Sequence, residues 1–187
     1  MIAMVQQTTV PNLLTISRIL LVPVVVGLFF LDSPLGNWLA AFIFIVACIT
    51  DYLDGYFART LKQTSNLGVF LDPMADKLLV AATILMLVGM NRIESIHLIA
   101  AVIILCREFL VSGLREYLAD VRVTVPVSQL AKWKTSIQMI ALSILIVGNV
   151  SFFPLPLHEI GLGGLWIAAV LTLITGFDYL RASFRHI

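Results

Sequence analysis

Residues 37–59 read NWLAAFIFIVACITDYLDGYFAR, and residues 68–90 read GVFLDPMADKLLVAATILMLVGM. Each is an apolar run with acidic residues gathered at one end. A hydrocarbon core about 30 Å thick takes about 20 apolar residues in a helix, somewhat more when the helix tilts. The first run closes on Asp51 and Asp54, and the second opens on Asp72 and Asp76. Read as two antiparallel membrane helices, they carry all four carboxylates to the same membrane face.

Four further runs of this kind occur at 11–31, 95–118, 127–148 and 161–184, which predicts a single six-helix transmembrane domain over residues 1–187. The fold class is all-α integral membrane. Composition agrees: 60% of the residues are hydrophobic, the mean hydropathy is +1.01, and 12% are charged. A soluble domain is typically about 25% charged. These figures exclude a soluble nucleic-acid binder, so no nucleic acid partner is expected. They also exclude a disordered tail and argue against an ordinary cytosolic enzyme.

The breaks carry turn chemistry at Asp32-Ser33-Pro34-Leu35-Gly36, Asn91-Arg92 and Pro154-Leu155-Pro156. Gly161, Gly163 and Gly164 read as a loop and helix start. The fifth run holds Lys132 and Lys134 in its first half. Residues 1–10 contain no Lys or Arg and no small-residue cleavage site follows Leu31, so the first run reads as a mature helix. Cys48 and Cys106 sit alone in apolar runs, and His97, His158 and His186 are scattered. No disulfide framework or zinc site is expected from them.

The few charges are informative one by one. With the N-terminus inside, the cytoplasmic segments hold Arg59, Lys62, Arg115, Arg122, Lys132, Lys134, Arg181 and Arg185, and the opposite loops hold Arg92. The positive-inside rule then places both termini in the cytoplasm. Trp38 and Trp166 fall near the outer interface, where aromatic belts form. Arg18, Lys77 and Arg107 remain, all within predicted spans, where ionisable residues mark function by default.

On a helix Asp51 and Asp54 lie about 60° apart and Asp72 and Asp76 about 40° apart, so each pair shares a face. Four carboxylates at one hairpin end repel strongly, and divalent cations relieve that repulsion. Hard oxygen ligands suit Mg²⁺ or Mn²⁺. Magnesium shares its remaining sites with water and substrate phosphates, so an open cluster of this kind suggests a nucleotide or diphosphate substrate. Gly55 clears space for a bulky ligand beside the backbone, Ala58 keeps the same face shallow, and Arg59 offers a cation to phosphate oxygens. Asp72-Pro73 has two readings: Asp72 caps a helix that begins at Pro73, or Pro73 kinks a longer helix. Two plainer alternatives exist for the aspartates, intramembrane ion pairs with Arg18, Lys77 and Arg107, or the cation site of a transporter.

The pattern D-x₂-D-G-x₂-A-R-x₈-G-x₃-D-x₃-D is fulfilled at every fixed position from Asp51 to Asp76. It resembles the signature of the CDP-alcohol phosphatidyltransferases, integral membrane enzymes with six transmembrane helices, usually homodimeric. The resemblance implies that Asp51, Asp54, Asp72 and Asp76 hold two Mg²⁺ ions (Mn²⁺ being an alternative), with Asp76 as general base. It implies that Gly55, Ala58, Arg59, Ser65 and Gly68 lie against CDP-diacylglycerol. The segment Pro11-Asn12-Leu13-Leu14-Thr15-Ile16-Ser17-Arg18 resembles the family's first-helix motif, which adds Asn12 and Thr15 to that site. The framework of Gly55, Ala58, Arg59 and Gly68 argues against a membrane prenyltransferase, another user of aspartate-rich diphosphate sites.

The acceptor is a separate question. Glu108, Ser112 and Arg115 follow i, i+4, i+7 on the fourth helix, with Arg107 beside them, and so predict an inward polar stripe. Arg107, Arg115, Lys132 and Lys134 form a basic set suited to a small, doubly charged phosphate, with Arg18 a further candidate. Anchoring of helix ends is the plainer reading for Lys132 and Arg122, and a Glu108 salt bridge for Arg107. The segments from Leu71 to Lys77, from Arg107 to Arg115 and from Lys132 to Thr135 resemble the family members that use sn-glycerol 3-phosphate. They imply formation of phosphatidylglycerophosphate and CMP at the cytoplasmic side of a bacterial inner membrane. Other acceptors within the family (inositol phosphate, serine or phosphatidylglycerol) remain the nearest alternatives.

Overall fold

A computed structural model describes residues 10–31, 33–61, 66–121, 123, 129–148 and 155–183; side chains at 10–14, 52–61, 66–70, 72, 73 and 120 lie outside that description. The described residues form six helices and no strand: α1 (Val10–Phe29), α2 (Pro34–Leu61), α3 (Asn66–Gly89), α4 (His97–Asp120), α5 (Gln129–Val147) and α6 (Leu157–Ser183). All six predicted helices are present. The segments Pro34–Asp51, His97–Ala119, Gln129–Val147 and Leu157–Ser183 are long and apolar enough to cross a bilayer, and α1 adds the shorter apolar stretch Thr15–Phe29. The chain is a multi-pass membrane protein.

The distribution of side chains follows from lipid as solvent. Large apolar residues such as Leu20, Phe42, Leu85, Phe109, Ile140 and Phe177 are exposed. The interior mixes large apolar residues such as Phe44, Ile84, Leu142 and Leu165 with small ones, Ala40, Ala47, Ala100, Ala141 and Ala168, and it buries the hydroxyls of Thr83 and Thr172. Lipid tails are as apolar as leucine, so burial of leucine does little to join helices. Close backbone approach through small residues does more.

The helices form two compact units, residues 1–86 and 87–187. In the first, α1 packs on α2, and α3 joins through charged side chains described below. Asp72 and Pro73 lie inside α3, so Asp72 is not an N-cap and the longer-helix reading holds. Pro23 is likewise carried within α1.

In the second unit α6 packs on both α5 and α4. Gly161, Gly163 and Gly164, expected as a loop and helix start, all lie within α6, which begins a turn earlier, at Leu157. Pro156 precedes that start, and Glu159 in the first turn complements the positive end of the helix dipole. Gly161 and Gly164 are contact points instead. A Cβ on Gly161 would come within 2.8 Å of Leu145 Cγ, and one on Gly164 within 3.0 Å of Ala141 Cβ. At its other end α5 stops at Gly148, whose φ of 68° is the left-handed conformation that closes helices. Arg92 donates from Nη1 to the carbonyls of Leu145 and Ile146, satisfying two of the last acceptors of α5.

Candidate functional site

In the first unit, three helices bring one cation to two carboxylates. Arg18 on α1 is completely buried; its Nη1 lies 2.9 Å from Oδ1 of Asp51 on α2 and 2.6 Å from Oδ1 of Asp76 on α3. The Asp51 and Asp76 carboxyls are also close enough to hydrogen-bond to each other. Thr15, buried one turn before Arg18, shares its face of α1. The ion-pair alternative for these aspartates therefore holds for Arg18. Arg107 has partners of its own in the second unit, Thr175 and Glu108.

This arrangement fits a divalent cation in its donor chemistry. Both groups are hard oxygen ligands, they converge, and their side chains remain 43% and 38% exposed, leaving room for a ligand to approach. Among the described residues no group of three or more His, Cys, Asp or Glu is placed to hold a metal. The side chains of Asp54 and Asp72 lie outside the described residues, as do those of Asn12, Gly55, Ala58, Arg59 and Gly68; Ser65 lies wholly outside them.

In the second unit Glu108 and Arg107 of α4 meet α5 and α6, whereas Arg115, expected on the same inward stripe, is exposed because it lies farther along α4. Lys134 of α5 donates to Glu108 Oε1, and Arg107 Nη1 lies 3.7 Å from the same oxygen. Arg107 Nη2 donates to Thr175 Oγ1 of α6 at 3.2 Å, and that hydroxyl donates onward to the Leu171 carbonyl at 2.8 Å. Arg107 Nε is buried without a hydrogen-bond partner. Further along α4, the Arg115 guanidinium lies 5.9 Å from the centroid of the Tyr179 ring, within reach of a cation–π attraction. Lys132 is exposed.

Of the predicted acceptor-binding bases, Arg107 and Lys134 thus meet around Glu108. Arg115 lies beside Tyr179, Lys132 faces outward, and Arg18 belongs to the aspartates. The sequence reading missed Thr175 and Gly176, which seat Arg107. A Cβ on Gly176 would stand 3.0 Å from Arg107 Cγ. The signal was present in the recurrence of small and hydroxyl residues at Gly161, Ala168, Thr172, Thr175, Gly176 and Ser183, all on the buried face of α6. At the opposite end of the unit, Trp166 Nε1 donates to His97 Nδ1 at 3.0 Å, giving the interfacial tryptophan a partner at the start of α4.

The chain is an all-helical membrane protein with a carboxylate pair on adjoining helices, and comparison with known proteins assigns it to a family. The chain belongs to the CDP-alcohol phosphatidyltransferase family, whose model matches residues 8–174. It is 50% identical over 176 residues to a CDP-diacylglycerol–glycerol-3-phosphate 3-phosphatidyltransferase of Rickettsia bellii, covering 94% of this chain and 96% of that one. A protein of the same name from Pseudomonas fluorescens is 42% identical over 95% of this chain and 91% of its own length. The second such enzyme of Arabidopsis thaliana is 38% identical over 95% of this chain and 80% of its own length.

Proposed function

We infer that this enzyme transfers the phosphatidyl group of CDP-diacylglycerol to sn-glycerol 3-phosphate, giving phosphatidylglycerophosphate and CMP. The observation that carries this reading is identity of about half the residues, along nearly the whole chain, to relatives bearing that name.

Asp51, Asp54, Asp72 and Asp76 would hold two Mg²⁺ or Mn²⁺ ions. Such ions, when bound, supply neutralisation of the diphosphate charge and of the charge that develops on departing CMP. Asp76 takes the proton from the terminal hydroxyl of glycerol 3-phosphate. That oxygen bonds to the β-phosphorus while the bond from the β-phosphorus to the bridging oxygen breaks, and CMP departs with the electron pair. Asn12, Thr15, Gly55, Ala58, Arg59, Ser65 and Gly68 accommodate CDP-diacylglycerol.

Arg107, Arg115, Lys132 and Lys134 supply the charge that selects an acceptor phosphate. The unpartnered Nε of Arg107 supports this reading, since a buried guanidinium with a spare donor is suited to an anion. We place the enzyme in the inner membrane with both termini and the site on the cytoplasmic side, among membrane lipids and as a homodimer.

The test is CMP release by purified protein from labelled CDP-diacylglycerol across a panel of acceptor alcohols with Mg²⁺. Release with glycerol 3-phosphate and not with inositol phosphate, serine or phosphatidylglycerol is expected. Inactivity with glycerol 3-phosphate overturns the acceptor, and inactivity with every alcohol overturns the chemistry.

A further inference from the structure

We propose that Arg18 is a positioning residue that clamps Asp51 and Asp76 from their buried side and so sets the affinity of the site for divalent cations. The inference rests on the metal-site reading given above and adds to it a residue from a third helix.

The geometry distinguishes this role from simple competition. A guanidinium nitrogen between two carboxylates gives way to an arriving metal ion when it is free to swing aside. Arg18 has nowhere to go: its side chain is wholly buried, whereas those of Asp51 and Asp76 are 43% and 38% exposed. Arginine stays charged in proteins, and a buried charge stripped of its partners is strongly unfavourable. The cation on the buried side therefore stays, and a ligand reaches the carboxylates from their exposed side. One nitrogen binding one oxygen of each aspartate fixes two side chains from different helices relative to one another. Carboxylate ligands are commonly oriented in this way by a hydrogen-bond donor behind them, and loss of such a donor typically costs about 10–100-fold in metal affinity.

The experiment measures Mn²⁺ binding to the detergent-solubilised full chain by electron paramagnetic resonance, alongside its unfolding temperature without added metal. Arg18→Gln is expected to weaken Mn²⁺ binding about 10–100-fold. Arg18→Lys keeps a charge but loses the planar fork, and falls between Arg18→Gln and the unaltered protein. A purely structural role would lower the unfolding temperature while leaving the Mn²⁺ affinity of the folded protein unchanged, and that result overturns the proposal. Tighter binding in Arg18→Gln also overturns it, in favour of competition. If Arg18→Gln does not fold, Arg18→Lys decides: unaltered affinity refutes the clamp and a clear loss sustains it. Asp51→Asn serves as the control for the underlying reading. Unchanged Mn²⁺ binding in that variant would overturn the metal site itself, independently of Arg18.

Discussion

Lys134 of α5 and Glu108 of α4 form an ion pair in which the lysine side chain is only 3% exposed. This pair explains how α5 tolerates a lysine in its first half: the charge is matched within the protein, away from lipid. Removing one partner strands the other. Lys134→Met or Glu108→Gln should each lower stability by about 2–4 kcal/mol, somewhat below the full cost of breaking a buried pair because Glu108 retains 24% exposure. The double variant should lose less than the sum of the two. Thermal unfolding of all three proteins in one detergent measures this, and additive losses would contradict the pairing.

Asp76 has the most demanding role in the proposed chemistry. Asp76→Asn keeps the size of the side chain and removes its basicity, so turnover should fall about 10²–10⁴-fold. Retention of labelled CDP-diacylglycerol on the immobilised variant should change far less. Chelation of divalent ions should abolish CMP release by the unaltered enzyme, with Mg²⁺ restoring it.

Gly176 and Thr175 together determine where Arg107 lies. Gly176→Ala places a methyl group 3.0 Å from Arg107 Cγ and 3.4 Å from its Nε, displacing the guanidinium by a few tenths of an ångström. Thr175→Val removes the oxygen that Arg107 Nη2 reaches at 3.2 Å. Both should raise KM for glycerol 3-phosphate by about 3–10-fold, a loss of roughly 1 kcal/mol. KM for CDP-diacylglycerol should stay constant. Equal rises in the two constants would assign these residues a general structural role.

The end of α5 offers a test remote from that chemistry. Gly148 adopts φ of 68°, so Gly148→Ala should destabilise the protein by about 1–2 kcal/mol. Arg92→Leu leaves the Leu145 and Ile146 carbonyls without their guanidinium donor and should cost a similar amount. Unfolding temperatures should drop in both while the kinetic constants hold.

The helices were legible in the sequence because a bilayer converts thickness into a required length of apolar chain. The boundary of α6 was misread because glycine breaks helices in water, whereas Gly161 and Gly164 let α5 approach closely. Convergence of Asp51 and Asp76 was also legible, since antiparallel helices return to one membrane face. The partner of those residues was not. Which face of α1 meets α2 and α3 is settled by packing, and from the sequence alone Arg18, Lys77 and Arg107 are equivalent as counter-ions. Lys134 and Arg107 likewise looked like equivalent phosphate ligands. Their difference lies in Glu108, which binds Lys134 directly and stands 3.7 Å from Arg107.

Arg18 also ties α1 to helices that are synthesised after it. Its helix leaves the ribosome before those carrying Asp51 and Asp76, and an unmatched arginine costs a few kcal/mol inside a bilayer. Until α2 and then α3 have been synthesised, α1 lacks the two carboxylates that neutralise it in the finished protein. Packing of the amino-terminal helix and convergence of the two carboxylates are therefore one event in the assembly of the first unit.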